Sequence, residues 1–360
     1  MKKKLRVAIL FGGKSVEHQI SINSAKNVYE YLNKEKYEPI LIGISQKGKW
    51  FLKTAVNGDF GTLDELYLIL DAEKGGFYHS KSGETIIPDL IFPVLHGTDG
   101  EDGSIQGLLK VINIPFVGTG VLGSAISMSK LYSKRLLQAA GIPVSQYFSF
   151  GHHEQKEINY TEIAKKLGVP FMAKAANLGS SIGVHKVKSE QEFNHAVADV
   201  FNFDSTLILE QFIKGRELEC AVIGNEDPQA SLPGEIIVSG SHDFYTYEAK
   251  YLDPEAAKLK IPAEELNDEI IKKIQLLSIN SYKALKCEDF ARVDLFLQEN
   301  GDIIINEINT IPGFTNSSMF PMMWKERGIS FTDLITKLIE MTIKRSERSM
   351  QISNQFSASS

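Results

Sequence analysis

The chain has 360 residues, more than the roughly 250 that a single hydrophobic core usually supports, which predicts two or three domains. Hydrophobic residues make up 43% and charged residues 23%, which excludes a disordered or fibrous protein and favours a multidomain α/β enzyme. Lys and Arg number 39 against 45 Asp and Glu, a net charge of −6 that provides no general attraction for nucleic acid or anionic lipid. Small molecules are therefore the expected partners, with no nucleic acid and no membrane.

The cysteines and the N-terminus indicate the compartment. Cys220 and Cys287 lack the spacing of a zinc site or a disulfide framework, so we expect two buried thiols in a reducing environment. The basic N-terminus precedes an apolar run, residues 7–11, that is too short for a secretion signal. No other apolar stretch approaches the length of a membrane span. These features predict a cytoplasmic location.

The first third of the chain alternates strand and helix patterns. Residues 5–11 form an apolar run closed by Gly12 and Gly13, and a helical pattern follows. Further strands are predicted at 39–44, 89–95 and 115–117, with a helix at 105–112. This alternation predicts a doubly wound parallel sheet. Residues 67–85 are too irregular to place and are expected to form a peripheral insertion.

The rest of the chain is expected to form two α+β units and a tail. A helix over 129–140 ends at Gly141 with Pro143 just beyond. Strands at 171–175, 182–187 and 207–212 enclose a helix that begins with a capping box, Ser189 and Glu192. Strands dominate from Glu217, a long helix covers 266–285, and a final helix covers 330–345. The predicted domains are 1–120, 121–215 and 216–345, followed by a flexible polar tail, 346–360.

A hairpin at residues 291–309 contains the most informative polar pattern. If Asn300 and Gly301 form a two-residue turn, Asp294 lies opposite Glu307 and Arg292 opposite Asn309, all on one face. Opposed carboxylates repel each other unless a cation lies between them, and magnesium prefers oxygen ligands. Asp294, Glu307 and Asn309 are therefore candidate metal ligands.

The competing interpretation is an exposed hairpin with ordinary surface charges. Apolar side chains on both faces argue against it. The reverse face is expected to carry Val293, Leu295, Leu297, Ile304 and Ile308, and the acidic face Phe296, Ile303 and Ile305. Asn306 is the polar exception on the reverse face.

A Gly-Ser-rich loop, residues 174–183, is a second candidate site. Backbone N–H groups in such a loop can bind phosphates while Lys174 neutralises their charge, although the sequence is not a Walker A motif. A plain hairpin turn is the alternative. Weaker signals come from acids near a domain crossing, a possible lid at 245–251 and a glycine loop at 96–103. Lys130 and Lys134 have the spacing of helix-surface lysines.

Four sequence blocks resemble the D-alanine:D-alanine ligase family of the ATP-grasp superfamily, over residues 7 to about 343. These blocks are residues 12–21, 96–107, 247–251 and 309–318. The resemblance implies a three-domain α/β ligase in which an N-terminal sheet domain precedes two α+β domains that clasp ATP. It also implies a homodimer that joins two D-alanine molecules through D-alanyl phosphate, for peptidoglycan precursor synthesis, with ATP and two Mg²⁺ ions, or Mn²⁺.

The resemblance also assigns residue roles. It implies catalytic roles for Glu17, Ser180, Tyr251, Arg292 and Ser318, substrate contacts from His96, Gly313 and Met319, nucleotide contacts from Lys130, Lys174, Ser181, Glu210, Gln211, Ile213, Glu217, Phe244 and Lys250, and metal coordination by Asp294, Glu307 and Asn309. Within this set, Glu17, Ser180 and Tyr251 would form a hydrogen-bonded triad. Two positions depart from the family pattern: Ala175 replaces the usual Pro and Gln211 replaces a common Lys.

Three alternatives stay open at this level. The second substrate could be D-serine or D-lactate, although Tyr251 argues against D-lactate. The chain could be a non-catalytic ATP-grasp binding protein, although the metal-ligand and lysine positions are all present. A dinucleotide-binding oxidoreductase is disfavoured because residues 12–16 lack the GxGxxG pattern and no acid ends the second strand.

Overall fold

Three β-sheets organise the chain in this computed structural model, which describes residues 3–61, 64–73, 75–179, 182–238 and 257–357. The first sheet has seven strands, the second four and the third six. Each sheet collects its strands from one continuous stretch, namely 5–93, 147–211 and 216–309. The predicted boundaries near residues 120 and 215 fall between these stretches, and the division into domains stays a prediction.

The helices of the described residues connect and cover the sheets. They are α1 (His18–Tyr31), α2 (Ser104–Val111), α3 (Val121–Met128), α4 (Lys130–Ala139), α5 (Tyr160–Leu167), α6 (Glu190–Phe203), α7 (Asp268–Ala284), α8 (Met319–Glu326) and α9 (Phe331–Ser357). A short 3-10 helix covers His152–Glu157. None of the helices in the described part of the chain combines the length and apolar character needed to cross a membrane.

The first sheet is parallel at one side and antiparallel at the other. Its strands are β1 (Leu5–Gly12), β2 (Tyr37–Ile44), β3 (Trp50–Lys53), β4 (Glu65–Ile69), β5 (Gly76–His79), β6 (Thr85–Ile86) and β7 (Leu90–Pro93), in the order β6-β5-β4-β3-β2-β1-β7. Strands β2, β1 and β7 run parallel and form the core that the alternating pattern predicted. Residues 115–117, predicted as a strand, contribute one bridge between Ile91 and Phe116.

Residues 67–85 are part of this sheet and not a peripheral insertion. Strands β4, β5 and β6 extend it with antiparallel pairing. Leu66, Phe77 and Ile86 point inward and pack with Trp50, while Tyr67 and Tyr78 on the same strands are exposed. The alternation needed for a half-buried strand was present, but each strand is too short for its period to stand out in the sequence.

The second and third sheets are antiparallel. The second contains β8 (Tyr147–Gly151), β9 (Phe171–Ala175), β10 (Val184–Val187) and β11 (Thr206–Gln211), in the order β10-β9-β11-β8. The third contains β12 (Arg216–Ile223), β13 (Gln229–Ala230), β14 (Gly234–Val238), β15 (Ala257–Lys260), β16 (Phe290–Leu297) and β17 (Ile303–Asn309), in the order β15-β14-β12-β16-β17, with β13 beside β12. Helix α7 packs on one face of the third sheet, and the other face carries the charged residues described below.

The first and third sheets share a core, whereas the second has its own. The shared core includes Phe11 and Phe92 from the first sheet, Phe290 from the third, and Trp324 from α8. The second sheet packs a separate cluster, with Phe171 among its members, beneath α5 and α6. The second sheet is therefore a body of its own set against the other two. Both cysteines are buried and free, as predicted.

The last helix continues past its predicted end at Arg345 to Ser357, where the sequence predicted a frayed tail. Arg345 donates to the carbonyl oxygens of Phe116 and Gly118 at 2.8 Å and 3.0 Å, and it pairs with the buried Asp289 at 3.0 Å. These contacts anchor α9 at the point where the polar segment begins. Propagating an anchored helix costs far less than starting one, so a polar segment can remain helical there.

Candidate active site

The first group of site residues lies where the parallel strands β1 and β7 end. Glu17 immediately precedes α1, and His96 follows β7; both are buried. His96 Nδ1 donates to the carbonyl oxygen of Ile311 at 2.9 Å, and its Nε2 lies 3.0 Å from Ser24 Oγ. Burial lowers the pKa of His96, while the Glu17 carboxylate opposes that shift. Because Ile311 follows β17, these contacts join the first sheet to the third.

A further buried acid, Glu101, lies behind Glu17. Its Oε2 accepts a hydrogen bond from the Gly97 backbone N–H at 3.0 Å. A Cβ at Gly97 would come within 2.5 Å of Glu17 Oε2, so the glycine permits this close packing. Burial raises the pKa of Glu101 well above its ordinary value of 4.5, and Glu17 raises it further. Glu101 therefore favours its neutral form, which avoids a second charge beside Glu17.

The Gly-Ser-rich loop after β9 reaches both other sheets. Lys130, the first residue of α4, donates from Nζ to the carbonyl oxygen of Leu178 in this loop, and the same Nζ lies 3.7 Å from Glu307 Oε2 on β17. A Cβ at Gly179 would stand 4.0 Å from Glu17 Oε2. The loop therefore lies between Glu17 on one side and the acidic hairpin on the other. All three sheets meet at this point.

The second group of site residues centres on Glu210 of β11. Glu210 pairs with Lys174 of β9 and with Lys134 of α4, the latter at 2.8 Å, and it accepts a hydrogen bond from Ser145 Oγ at 3.0 Å. Burial opposes ionisation of Glu210, but the two lysines hold its pKa well below the ordinary value. Lys134 is only 2% exposed, so the expectation of a helix-surface lysine was wrong. A position four residues after Lys130 shares its helix face, and that face is buried.

The field around Lys174 also includes acids of the third sheet. Burial lowers the pKa of Lys174, but Glu210 more than offsets this effect and holds the pKa above its ordinary value of 10.5. Glu307 and Glu217 add to the rise. A buried lysine of the second sheet thus faces acids of the third sheet. This arrangement suits an anion, such as a polyphosphate, that binds together with cations between the two sheets.

The third group follows the hairpin of β16 and β17, and its predicted register is confirmed at the site. Asp294 lies opposite Glu307, and Arg292 lies opposite Asn309. Arg292 holds the Asp294 carboxylate with two bonds of 2.7 Å, from Nε to Oδ1 and from Nη2 to Oδ2. Burial works against the charge on Arg292, but the acids around it keep its pKa well above its ordinary value.

The hairpin tip differs from the predicted two-residue turn. Gln298 pairs with Asp302 through a 2.9 Å backbone bond, which leaves three residues in the loop, with Gly301 at a φ of +83°. The register then shifts by one residue between Asp294 and Leu295, because Asn306 is an extra residue on β17. The longer loop and this bulge offset each other, so the opposed acids are found where the simpler turn would have placed them.

The bulge also exchanges the apolar faces of β17. Ile303 and Ile305, predicted on the acidic face, lie in the core beside Leu295 and Leu297. Ile304, predicted on the reverse face, pairs with Phe296 instead. A shift of one residue moves every side chain beyond it to the opposite face. Asn306 was the sequence signal, since it is the polar residue that fitted neither face.

The paired carboxylates and Asn309 fit a divalent cation. Carboxylate and amide oxygens are the hard donors that magnesium prefers, and magnesium usually takes its remaining ligands from water and phosphate. Within the described ranges, no three His, Cys, Asp or Glu side chains converge as a closed metal cage. In this structure Arg292 occupies both Asp294 oxygens, and Asn309 Oδ1 accepts from the Ile311 N–H at 3.0 Å.

The turn after β17 brings Gly313 and Ser318 together. A Cβ at Gly313 would lie 2.9 Å from Ser318 Oγ, and the Thr315 N–H donates to that oxygen at 3.1 Å. Ser318 precedes α8, while the Met319 side chain is buried in the core shared by the first and third sheets. Met319 can therefore face a ligand only through its backbone. Its side chain lies within 2.5 Å of where a Cβ at Gly234 would stand.

The remaining predicted residues fall into two sets. Glu217 is half-buried on the charged face of β12, Ile213 is buried, and Gln211 is exposed at the end of β11. The expected roles of Ser180, Ser181, Phe244, Lys250 and Tyr251 fall on positions outside the described residues.

Sequence reasoning missed three buried charged residues at the site: Glu101, Lys134 and Glu219. Lys134 could have been identified because it lies on the same helix face as Lys130. Glu219 is two residues after Glu217 and therefore shares its strand face, a signal that was available. Glu101 gave no signal beyond its membership in the block at 96–107. A residue whose role is to stabilise another charged residue is seldom part of a recognisable sequence motif.

Two family models cover most of the chain. The model described as D-ala D-ala ligase N-terminus matches residues 6–119, and the model described as D-ala D-ala ligase C-terminus matches residues 136–340. Among curated relatives, the D-alanine--D-alanine ligase of Oceanobacillus iheyensis is 46% identical, with 98% of each chain covered. The D-alanine--D-alanine ligase A of Escherichia coli K12 is 44% identical, with 95% of this chain and 97% of the relative covered.

Solved structures have the same fold over the whole chain. The D-alanine-D-alanine ligase from Coxiella burnetii superposes with a TM-score of 0.88 at 37% identity, with 99% of both chains covered. The VanG D-Ala:D-Ser ligase from Enterococcus faecalis superposes with a TM-score of 0.86 at 36% identity, with 94% of this chain and 100% of that chain covered. With both family models matched and near-complete coverage of these relatives, this chain belongs to the D-alanine–D-alanine ligase family.

Proposed function

We propose that the chain joins two D-alanine molecules in this site, with ATP converting the first carboxylate to D-alanyl phosphate before the second amine displaces phosphate. The family and its full-length relatives support an ATP-dependent ligase with this product, a peptidoglycan precursor. The observation that carries the assignment is the convergence of three sheets on one point. There Glu307, which lies opposite Asp294, is close to Lys130, while Glu17 is in reach of the intervening loop.

The nucleotide lies between the second and third sheets in this proposal. Lys130 and Lys174 bind its phosphates, and the loop that follows Lys174, including Ser181, wraps them with backbone N–H groups. The base and ribose contacts are Glu210, Gln211 and Ile213 for adenine, Phe244 on the face of the base, and Glu217 for the ribose. Lys250 approaches the phosphate being transferred. The acids that raise the pKa of Lys174 come from both sheets, which supports this location.

The amino acid substrates lie on the N-terminal side of the phosphates. Glu17 and His96 hold the first D-alanine, where a buried carboxylate suits an ammonium group. Arg292 and the Gly313 N–H stabilise the oxyanion that forms when the amine attacks, and Ser318 and the Met319 backbone orient the second substrate. Glu17, Ser180 and Tyr251 form a triad that closes over both substrates. The proximity of Gly179 to Glu17 supports this triad, because Ser180 is the next residue.

Asp294, Glu307 and Asn309 hold two Mg²⁺ ions in this proposal. When bound, the metal neutralises the negative charge that develops on the phosphoryl oxygens during transfer. The chain supplies the rest of the charge balance, because Lys130 lies beside Glu307 and Arg292 beside Asp294. Each of the two carboxylates proposed to bind metal therefore has a cationic side chain beside it.

We also propose a cytoplasmic homodimer. The two free thiols support a reducing compartment. The family resemblance is the basis for the dimer. Sedimentation equilibrium tests the assembly, and a mass equal to one chain at micromolar concentration would contradict it.

A single assay tests the proposed activity. Phosphate release is measured with ATP and Mg²⁺ and each of D-alanine, D-serine, D-lactate and L-alanine, alone and mixed with D-alanine, and the product mass is determined. We expect release with D-alanine alone and a product of two D-alanine residues. D-serine is included because a D-Ala:D-Ser ligase shares this fold. Phosphate release only when D-serine accompanies D-alanine would replace this proposal with that activity, and no release with any substrate would indicate a binding protein.

A further inference from the structure

Three carboxylates form a row across the charged face of the third sheet. Glu219 of β12 lies directly opposite Asp294 of β16, which lies directly opposite Glu307 of β17. Glu219 is 3% exposed, and its Oε2 lies 3.1 Å from Arg292 Nε. The same Arg292 holds both oxygens of Asp294. One guanidinium therefore serves two buried acids, and only one of those acids is a candidate metal ligand.

Arg292 and a bound metal would compete for the oxygens of Asp294, and the second acid, Glu219, reduces this competition. A cation bound by Asp294 needs at least one oxygen that Arg292 occupies here. If Asp294 were the only partner of Arg292, releasing it would leave a mostly buried guanidinium unpaired, which is strongly destabilising. Arginine presents five N–H donors in a rigid fork, so it can keep one carboxylate partner while it releases another.

We propose that Glu219 is a positioning residue that holds Arg292 in place when Asp294 turns to the metal. The inference rests on the proposed function, because it takes Asp294 as a metal ligand and Arg292 as the residue that faces the second D-alanine. Glu219 does not touch substrate. It keeps the guanidinium paired and in position, and it lowers the cost of releasing Asp294 to the cation.

Loss of Glu219 has two consequences that a purely structural defect would not combine. Arg292 is left with Asp294 as its remaining partner in this row, so it competes with the metal and weakens divalent-cation binding. When metal does bind, Arg292 loses its charged support, and the second D-alanine binds more weakly. ATP binding, which depends on lysines of the second sheet and α4, changes little.

The experiment compares Glu219→Ala and Glu219→Gln with a matched control, Glu235→Gln. Glu235 is also a buried acid of the third sheet held by an arginine, since Arg216 donates to it at 2.8 Å and 2.7 Å. It stands opposite Leu218, on the face away from the site. Two quantities are measured: the dissociation constant of Mn²⁺ in the presence of ADP, by electron paramagnetic resonance, and the KM of the second D-alanine at saturating Mg²⁺.

We expect Glu219→Ala to raise both constants by roughly ten-fold, because Arg292 loses its ion pair with a buried carboxylate. Glu219→Gln should raise them less, since it removes the charge but keeps the side-chain volume and can keep an oxygen beside Arg292 Nε. The KM of ATP should stay within about two-fold of wild type in both variants. Glu235→Gln should match wild type in both constants.

Wild-type Mn²⁺ affinity and wild-type second-site KM in Glu219→Ala would overturn the inference. If Glu219→Ala does not fold, wild-type values of both constants in Glu219→Gln overturn it equally. Arg292→Ala distinguishes a failure of the proposed role of Arg292 from a failure of the proposed role of Glu219. An unchanged second-site KM in Arg292→Ala would refute the proposed role of Arg292 itself, whereas a raised KM there beside an unaffected Glu219→Ala would refute only the role of Glu219.

Discussion

Two clusters of buried charge flank the site, and they balance their charges in opposite ways. On the second sheet, one acid, Glu210, lies between two lysines, Lys134 and Lys174. On the third sheet, one arginine, Arg292, lies between two acids, Asp294 and Glu219. In each cluster one of the outer groups is predicted to bind a ligand: Lys174 a phosphate, and Asp294 a metal.

The comparison shows why each central ion has two partners. A buried ion that loses its only partner strongly destabilises the fold. If one partner leaves to bind a ligand, a second partner must therefore remain paired with the ion. Lys134 has this role for Glu210, and Glu219 is proposed to have it for Arg292. Motif reasoning identified Lys174 and Asp294, which are predicted to bind ligands. It missed Lys134 and Glu219, whose described ion pairs are with other side chains of the clusters.

The largest expected effect comes from Asp294→Asn, which removes the ligand-facing member of the third-sheet cluster. Turnover should fall by at least about 100-fold, because a metal that stabilises the transferred phosphoryl group contributes several kcal/mol. Stability should change little, because Arg292 keeps Glu219 and the side-chain volume is preserved. Steady-state rates at saturating Mg²⁺ and thermal melting check both points. Wild-type turnover would show that the metal assignment is wrong.

Glu210→Gln removes the centre of the second-sheet cluster and leaves two buried lysines without their shared acid. We expect the free energy of unfolding to fall by about 3 kcal/mol at neutral pH. The pKa of Glu210 is held below its ordinary value of 4.5, so its contribution is present above that pH and is lost as the pH falls below it. The difference in free energy of unfolding between wild type and variant, measured by urea denaturation, should therefore narrow below pH 4.5. A gap that is the same at pH 7 and pH 3.5 would contradict this assignment.

Lys134→Met removes the lysine that remains paired with Glu210 when Lys174 binds a phosphate. It therefore tests the comparison between the two clusters directly. Glu210 then holds Lys174 alone, so Lys174 is less available to a phosphate, and the KM of ATP should rise roughly five-fold, a loss of about 1 kcal/mol. The second-site KM of D-alanine should not change. Glu219→Ala is expected to show the reverse pattern. If both variants alter the same constant, the two clusters do not act independently.

Glu101→Gln should have a smaller effect that depends on pH. The folded-state pKa of Glu101 lies above its ordinary value, so its contribution to stability is complete below pH 4.5 and declines as the pH rises. The glutamine cannot ionise and keeps an acceptor for the Gly97 N–H. The variant should therefore melt progressively higher than wild type as the pH rises from 5. An offset between the two melting curves that does not change with pH would refute the raised pKa.

Gln211→Lys should have the smallest effect. Gln211 is exposed, and its backbone N–H donates to the Gln146 carbonyl oxygen at 2.9 Å, so its side chain is not part of either cluster. The substitution restores a residue common in the family, and the KM of ATP should change by less than about two-fold. A larger change, measured at saturating D-alanine, would show that this side chain contacts the base directly.

Much of the architecture was predictable because it depends on local pattern. The core strands of the first sheet, the helix that ends at Gly141 and the helix that begins at Ser189 all follow from periodicity and capping residues. The extension of the first sheet by β4 to β6 was not predictable, since strands of two to five residues carry little periodic signal. The continuation of α9 beyond Arg345 also required the structure, because its anchor is a contact with residues far away in sequence.

The hairpin shows the limit most clearly. The sequence by itself determined that Asp294 and Glu307 are opposed, because the strand period and a glycine at the turn restrict the register to a few choices. Only the tertiary structure decided that a three-residue loop and a bulge at Asn306 jointly produce that register. The reason is that the bulge is selected by the packing of Ile303 and Ile305 into the core. This packing involves residues distant in sequence, so local sequence patterns do not predict it. Likewise, the sequence predicted which charged residues bind ligands. The pairing between those residues and other buried charges depends on contacts between separate strands and helices, which only the tertiary structure shows.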